Sequence, residues 1–155
     1  MNEWGALITV EQVLQLHARG ILEHNQTPVA ISQTAGDCVE GRIGNAWTSE
    51  GYCSDEDAKA GLIFAGYLLY YLTRDHCFPD GNKRAAWATA MAILASLGLT
   101  IAASDDEAYS LVDRIATGVI KDGMEVVQWL TARLEAPEEH SLDEPSPQRI
   151  RQVKF

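Results

Sequence analysis

The apolar segment that follows Ser54 constrains the fold more than any other part of the chain. Ser54 and the three acidic residues after it predict a strong helix start, because a capping side chain is followed by negative charge at the positive end of the helix dipole. From there to about Arg74, apolar side chains cover nearly the whole circumference of the predicted helix. A helix that is apolar on nearly all sides belongs at the centre of a helical fold.

A second central helix follows it closely. It is predicted to begin near Gly81 or Asn82 and to run to Leu97, with Gly98 as its stop. Its many alanines leave small faces, which allow two helix backbones to approach closely. We therefore expect the two helices to form a tight antiparallel pair, with the polar stretch 76–84 at their junction.

Three further helices are predicted around this pair. Capping-box patterns start helices over about 9–23 and 104–117, and a last helix runs over about 124–134 with Leu134 pointing inward. Residues 100–103 read as a short connector. The predicted fold class is therefore mainly α, a helical bundle around one central antiparallel pair.

The segment before the central pair is harder to assign. Residues 25–36 predict either a loop or a small β-hairpin arm, and Asp37 could cap a short helix through Trp47 that two glycines weaken. Arg42 in this helix is a surface cation, a phosphate contact or a partner contact, and the sequence does not rank these.

Length and charge bound the function. The chain has 155 residues, which fits one domain over 1–135 followed by a flexible tail over 136–155 whose composition shifts to Pro, Glu, Ser and Gln. The net charge of −10, from 22 acidic and 12 basic residues, argues against nucleic-acid or anionic-membrane binding through the whole surface. We therefore expect no direct nucleic-acid partner.

Cysteine usage and the apolar runs predict a cytoplasmic protein. Cys38, Cys53 and Cys77 are odd in number and form no CxxC pair, which indicates a reducing compartment and no structural zinc. Cys77 is expected to be inert filler rather than a nucleophile. The N-terminus lacks the basic start of a signal peptide, and the apolar run 61–72 is too short to span a bilayer, so no membrane association is expected.

Two histidines on the first helix are seven residues apart. His17 and His24 are expected to be surface or half-buried side chains rather than a metal pair, because no acid or cysteine lies at ligand spacing from them.

The polar stretch between the central helices predicts an anion site. Residues 79–81 form a turn and Asn82 starts a helix, whose first N–H groups lack partners and favour an anion. Lys83 and Arg84 lie in the first turn, where cations oppose the helix dipole. A bound phosphate would explain this placement, since N–H groups, an ammonium and a guanidinium would converge on it.

The same stretch carries groups for catalysis. Asp80 offers a hard oxygen ligand for Mg²⁺ that bridges phosphates, and His76 can accept a proton at neutral pH. Phe78 is expected to be a core anchor for the loop rather than a substrate contact. A His-x-x-x-Asp pair alone is common, so the prediction rests on the whole string. It fits activation of a hydroxyl for attack on a nucleotide phosphate.

The string His-Cys-Phe-Pro-Asp-Gly-Asn-Lys-Arg over residues 76–84 resembles the signature of the Fic/Doc superfamily, and it is most similar to the death-on-curing (Doc) branch. The resemblance extends over about residues 7–134. Lys83 stands where AMP-transferring members usually have Gly, and Trp87 stands where they have a second Arg. Gly81 is the residue more usual in the Fic branch.

The resemblance implies a function and roles for named residues. Doc toxins are kinases that phosphorylate a threonine of elongation factor Tu and stop translation. It implies that His76 is the general base and that Asp80 binds Mg²⁺. The residues implied to hold the phosphates of ATP are Arg74, Gly81, Asn82, Lys83 and Arg84.

The resemblance also implies a protein partner, and two other functions stay open. Doc toxins are silenced by an antitoxin whose C-terminal segment folds into the active-site groove, and the inhibitory string Ser/Thr-x-x-x-Glu-Gly/Asn of many Fic enzymes does not occur in this sequence. The first alternative is a Fic-type protein adenylyltransferase. The second is a non-catalytic interaction module.

Overall fold

Six α-helices and one small sheet make up the part of the chain that is described by a computed structural model, residues 7–23, 33–53 and 57–135. In chain order the elements are α1 (Val10–Glu23), α2 (Gln33–Cys53), α3 (Asp57–Asp75), α4 (Asn82–Ser96), β1 (Thr100–Ile101), α5 (Asp105–Ala116), α6 (Gly123–Ala132) and β2 (Leu134–Glu135). The mainly α fold class is confirmed.

Helix α3 is the centre of the fold. Its side chains are buried on nearly all sides, and it packs most extensively against α2, α4 and α6. Two glycines allow the close contact with α6, since a Cβ atom at Gly66 would collide with Val127 and one at Gly123 would collide with Tyr67. The core residues of α3 are Ala60, Leu62, Ile63, Phe64, Ala65, Leu68, Leu69, Tyr70 and Leu72.

Helix α4 completes the central pair. Residues 76–81 connect it to α3, and so short a connection makes two packed helices antiparallel neighbours. The predicted stop is confirmed, because Gly98 adopts a φ of 75° and its N–H donates to the carbonyl of Ala95. The pair therefore presents the connecting loop at one end of the bundle.

Both predicted capping boxes are confirmed. The side chains and backbone N–H groups of Thr9 and Gln12 bond reciprocally at 2.8 and 3.2 Å at the start of α1. Ser104 and Glu107 do the same at 3.2 and 3.1 Å at the start of α5. These backbone hydrogen bonds hold the pKa of the Glu107 carboxyl below its ordinary value.

Helix α2 is longer than predicted. It begins at Gln33, so Asp37 lies inside it and is not a cap, and the predicted loop or hairpin is wrong for residues 33–36. The rest of that segment, with His24, lies outside the described residues. Each interior glycine costs a helix about 1 kcal/mol. Burial of Ala35, Val39 and Ala46 against the neighbouring helices outweighs this local cost.

The small sheet was not predicted. Thr100 pairs with Glu135 and Ile101 pairs with Leu134 in antiparallel register. The predicted connector therefore contains β1, and Leu134 lies in β2 rather than inside the last helix. Among the described helices, none combines the length and the apolar character that crossing a bilayer requires.

Candidate functional site

The connecting loop begins with a residue in an unusual conformation. His76 has a φ of 49°, and it is the one non-glycine residue of the described part with a positive φ. Its side chain is exposed. The left-handed region costs an L-residue about 1–2 kcal/mol. Such strain persists where the surrounding structure imposes it, and it is concentrated at functional sites.

The Asn82 side chain shapes this loop. Its Oδ1 accepts a hydrogen bond of 2.9 Å from the Phe78 N–H, and its Nδ2 donates one of 2.7 Å to the Phe78 carbonyl. Both groups of the buried amide are therefore engaged by one backbone residue. What Asn82 offers to an anion at this helix start is its backbone N–H.

An aromatic stack supports the loop from α1. Phe78 is 5% exposed, and its ring lies parallel to the His17 ring with centroids 3.8 Å apart. The His17 Nε2 atom lies 2.7 Å from the carbonyl oxygen of Asp80. The expectation that His17 lies at or near the surface is wrong, because it is 7% exposed and part of the support of the loop.

The start of α4 has the character of an anion site. Gly81 occupies the N-cap position with a φ of 78°, and no side chain caps the helix there. The first hydrogen bond of the helix is donated by Ala85 to Gly81. The N–H groups of residues 82–84 therefore have no intrahelical acceptor, and the dipole favours negative charge beside them.

The two cations of this first turn extend toward different helices. The Lys83 Nζ atom lies 3.0 Å from Asp113 Oδ1 and 5.1 Å from the centre of the Tyr109 ring, both on α5. The Arg84 side chain runs toward α1, where a Cβ atom at Gly20 would lie 4.0 Å from Arg84 Nε. The structure thus places both at the helix start without bringing their charged ends together.

A charged cluster lies at the end of α3, directly before His76. Arg74 donates to Asp75 from Nε at 2.6 Å and from Nη2 at 3.1 Å, and Arg42 of α2 donates to the same carboxylate. The Arg74 guanidinium also lies 5.1 and 5.2 Å from the ring centres of Tyr70 and Tyr71. Arg42, whose role the sequence left open, thus pairs with a carboxylate next to the loop.

This pairing perturbs both charged partners. Burial disfavours the ionised form of Asp75, but the hydrogen bonds from Arg74 and Arg42 outweigh it, so the pKa of Asp75 lies below its ordinary value. The hydrogen bond to Asp75 raises the pKa of Arg74 above its ordinary value. Sequence reasoning missed Asp75. The sequence did offer a signal for it, because Asp75 is an acidic residue between Arg74 at the predicted helix end and His76 of the motif.

A disulfide joins Cys38 of α2 to Cys77 of the loop, with Cα atoms 5.5 Å apart. The expectation that Cys77 is inert filler is therefore wrong, and cysteine usage no longer indicates a reducing compartment, because an odd number of cysteines does not prevent two of them from pairing. Asp75 and Cys77 are the two neighbours of His76, and both are attached to α2. This helix consequently holds the loop on either side of the histidine.

The loop also carries an exposed carboxylate. The Asp80 side chain is exposed, and it accepts a hydrogen bond of 2.7 Å from the Gly81 N–H. No group of three or more His, Cys, Asp or Glu side chains is arranged to hold a metal within the described residues. Mg²⁺ requires no such group, since it binds through one or two carboxylates together with phosphates and water. The single Asp80 carboxylate beside an anion site therefore fits it.

An exposed histidine and an exposed carboxylate next to an uncapped helix start form a site with the chemistry to hold a phosphate group and to exchange a proton beside it. Residues 7–94, which include α1 to α3 and most of α4, match the sequence model of the Fic/DOC family. The chain therefore belongs to the Fic/DOC family.

A curated relative is similar over a shorter stretch. The protein named Toxin Doc from Mycolicibacterium smegmatis is 44% identical to this chain over 55 residues. That stretch covers 34% of this chain and 42% of the relative, so less than half of the relative is matched.

Proposed function

We propose that this protein is a Doc-like toxin of a toxin–antitoxin pair, which uses Mg-ATP to phosphorylate a hydroxyl group of a target protein. The observation that carries the proposal is the start of α4, where an uncapped first turn carries two cations directly after the loop with His76 and Asp80. A polyanion bound there would face the positive end of the dipole and lie beside both cations.

Each loop residue has a role in this reaction. His76 takes the proton from the target hydroxyl, whose oxygen then attacks the γ-phosphorus of ATP as the bond to the ADP oxygen breaks. The backbone N–H groups of residues 82–84, with the Lys83 and Arg84 side chains, bind the phosphates, and Gly81 leaves the helix start without a side chain in their way. Arg74 is a further phosphate contact. Asp80 would hold Mg²⁺, and the ion would supply positive charge to the phosphates when it is bound.

The proposed target and partner come from the family resemblance. A threonine of elongation factor Tu is the proposed acceptor, and its phosphorylation would block translation in the cytoplasm. The proposed partner is an antitoxin whose C-terminal segment binds beside the loop. The curated relative, whose name is Toxin Doc, supports the antitoxin partner.

Nucleotide transfer is the second candidate function. For phosphate transfer, the first candidate, the Lys83 side chain would crowd the position that the phosphates occupy in AMP-transferring enzymes. The nucleotide would then bind in a pose that presents its γ-phosphate to the target. In the structure, however, the Lys83 ammonium is held on α5 by Asp113 and Tyr109. That placement favours AMP transfer as the alternative, because it leaves the phosphate position less crowded.

A labelling experiment tests these candidates together. The purified chain is incubated with elongation factor Tu, Mg²⁺ and ATP labelled at either the γ- or the α-phosphate, and the intact mass of the target is measured. Phosphorylation gives γ-label and a phosphate adduct, whereas AMP transfer gives α-label and a much heavier adduct. His76→Ala should abolish either product.

Two outcomes would contradict the proposal. If the wild-type chain kills cells but labels no protein in a lysate, the transferase function is refuted. If His76→Ala is as toxic as the wild type, the non-catalytic interaction module is supported instead.

A further inference from the structure

His17 of α1 makes two specific contacts with the connecting loop, which a side chain that only fills space in the core would not need. It is distant in sequence from the motif, yet its ring stacks on Phe78 and its Nε2 atom reaches the Asp80 carbonyl. We propose that His17 is a positioning residue, which aims the Asp80 carboxylate through the peptide bond between Asp80 and Gly81. The catalytic consequence rests on the proposed function, but the positioning itself does not.

The direction of the hydrogen bond fixes the state of the ring. A carbonyl oxygen can only accept, so the proton lies on Nε2. The other ring nitrogen, Nδ1, is buried and has no hydrogen-bond partner among the described residues. The loop backbone is thus the one hydrogen-bond partner that the structure shows for the imidazole of His17.

The Asp80 carbonyl transmits this contact to the carboxylate. The peptide bond between residues 80 and 81 is trans, so its C=O and N–H point in opposite directions. Because His17 holds the carbonyl on its own side, the Gly81 N–H is turned to the other side. There it donates a hydrogen bond of 2.7 Å to Asp80 Oδ1. His17 therefore orients the proposed Mg²⁺ ligand without touching it.

The packing around the ring prevents the peptide from turning over. The ring lies parallel to Phe78, whose backbone is in turn clamped by Asn82. A Cβ atom at Gly81 would lie 3.4 Å from His17 Cδ2 and Nε2, so the ring lies beside the N-cap residue of α4. One buried side chain thus contacts Phe78 and Asp80 and borders Gly81.

Two substitutions separate the hydrogen bond from the stack. His17→Phe keeps an aromatic ring on Phe78 and removes the donor, whereas His17→Gln keeps a donor near the Nε2 position and removes the ring. Gln15→Ala, on the exposed side of α1, is the matched control. The measurements are amide hydrogen exchange of Gly81 in the nucleotide-free protein, the Mg²⁺ concentration at half-maximal transfer, and the thermal midpoint.

We expect His17→Phe to raise exchange at Gly81 about tenfold, which corresponds to one lost hydrogen bond of ordinary strength. It should also raise the half-maximal Mg²⁺ concentration about fivefold or more, with a thermal midpoint close to that of the wild type. His17→Gln should restore both values toward the wild type even if its thermal midpoint is lower. Gln15→Ala should match the wild type throughout.

Several results would overturn the proposal. One is wild-type exchange and Mg²⁺ dependence in His17→Phe, and another is a His17→Gln variant as defective as His17→Phe. If His17→Phe does not fold, ¹⁵N spectra of the wild-type imidazole decide, since a proton on Nδ1 instead of Nε2 refutes the hydrogen bond. If the wild type transfers neither phosphate nor nucleotide, the proposed function fails, while the exchange data still judge the positioning.

Discussion

Removal of the bond between Cys38 and Cys77 should destabilise the fold strongly. The two cysteines are separated by 39 positions in the sequence. In the chain-entropy description, closing a loop of that length removes about 13 cal/mol/K from the unfolded chain, or about 4 kcal/mol at 25 °C. Since domains are stable by about 5–15 kcal/mol, this is a large share of the total. For a chain of this size it corresponds to a fall of about 8–16 °C in the thermal midpoint.

Urea unfolding followed by tryptophan fluorescence measures this loss. The chain has four tryptophans, of which Trp87 is buried and packs edge-on against Trp129. Cys38→Ala, Cys77→Ala and the double variant should each lose about the same free energy, because each breaks the same bond. Wild type in reductant should behave like them, and Cys53→Ala is the control that leaves the pair intact.

The reasoning would be refuted by oxidised and reduced wild type unfolding at the same urea concentration. It would also be refuted by losses of the two single variants that add up in the double variant. Additive losses would show that each cysteine contributes through its own packing and not through a shared covalent bond.

Three further predictions concern the connecting loop and the ends of the two helices that it joins. Folding lowers the pKa of Asp75, so the stability that its ion pairs contribute is present above the unfolded pKa of about 3.9 and is lost as the pH falls through the lower folded pKa. The urea midpoints of Asp75→Asn, measured between pH 6 and 2, should lack this part of the acid dependence. A profile like that of the wild type would count against the ion pairs. Gly81→Ala should lose about 1–2 kcal/mol in urea unfolding, because the left-handed φ and the Ile21 side chain, whose Cδ1 would lie 3.1 Å away, both oppose a Cβ atom. A variant as stable as the wild type would mean that the loop relaxes. Lys83→Gly should lower γ-phosphate transfer about tenfold or more and raise AMP transfer. Asp113→Asn releases the Lys83 ammonium and should shift the ratio of the two products toward phosphate. If both variants keep the wild-type product ratio, measured by intact mass, Lys83 does not determine which group is transferred.

The features that the sequence predicts well are local ones. The capping boxes at Thr9 and Ser104 and the stop at Gly98 depend on residues a few positions apart, and all three are confirmed. The candidate site residues from His76 to Arg84 are also contiguous, so one string names them, and their roles stay predictions. The apolar residues on nearly all sides of the predicted helix correctly indicate that α3 is central, and the structure shows it buried.

The features that the sequence does not predict depend on distant partners. The strand pair, the disulfide and the Arg42–Asp75 ion pair each join residues that are far apart in the chain. The propensity cost of the glycines in α2 is local, whereas the burial that outweighs it comes from other helices. His17 follows the same rule, since only the folded chain brings its ring to Phe78.

Under the proposed function, the positive φ of His76 sets stability against catalysis at one position. Asparagine adopts left-handed backbone more readily than other non-glycine residues, so His76→Asn should fold at least as stably as the wild type although it lacks a proton acceptor. A selection for thermal stability alone would then favour an inactive protein. The same variant is suited to isolating the complex with nucleotide and target, because it should bind both without catalysing the transfer.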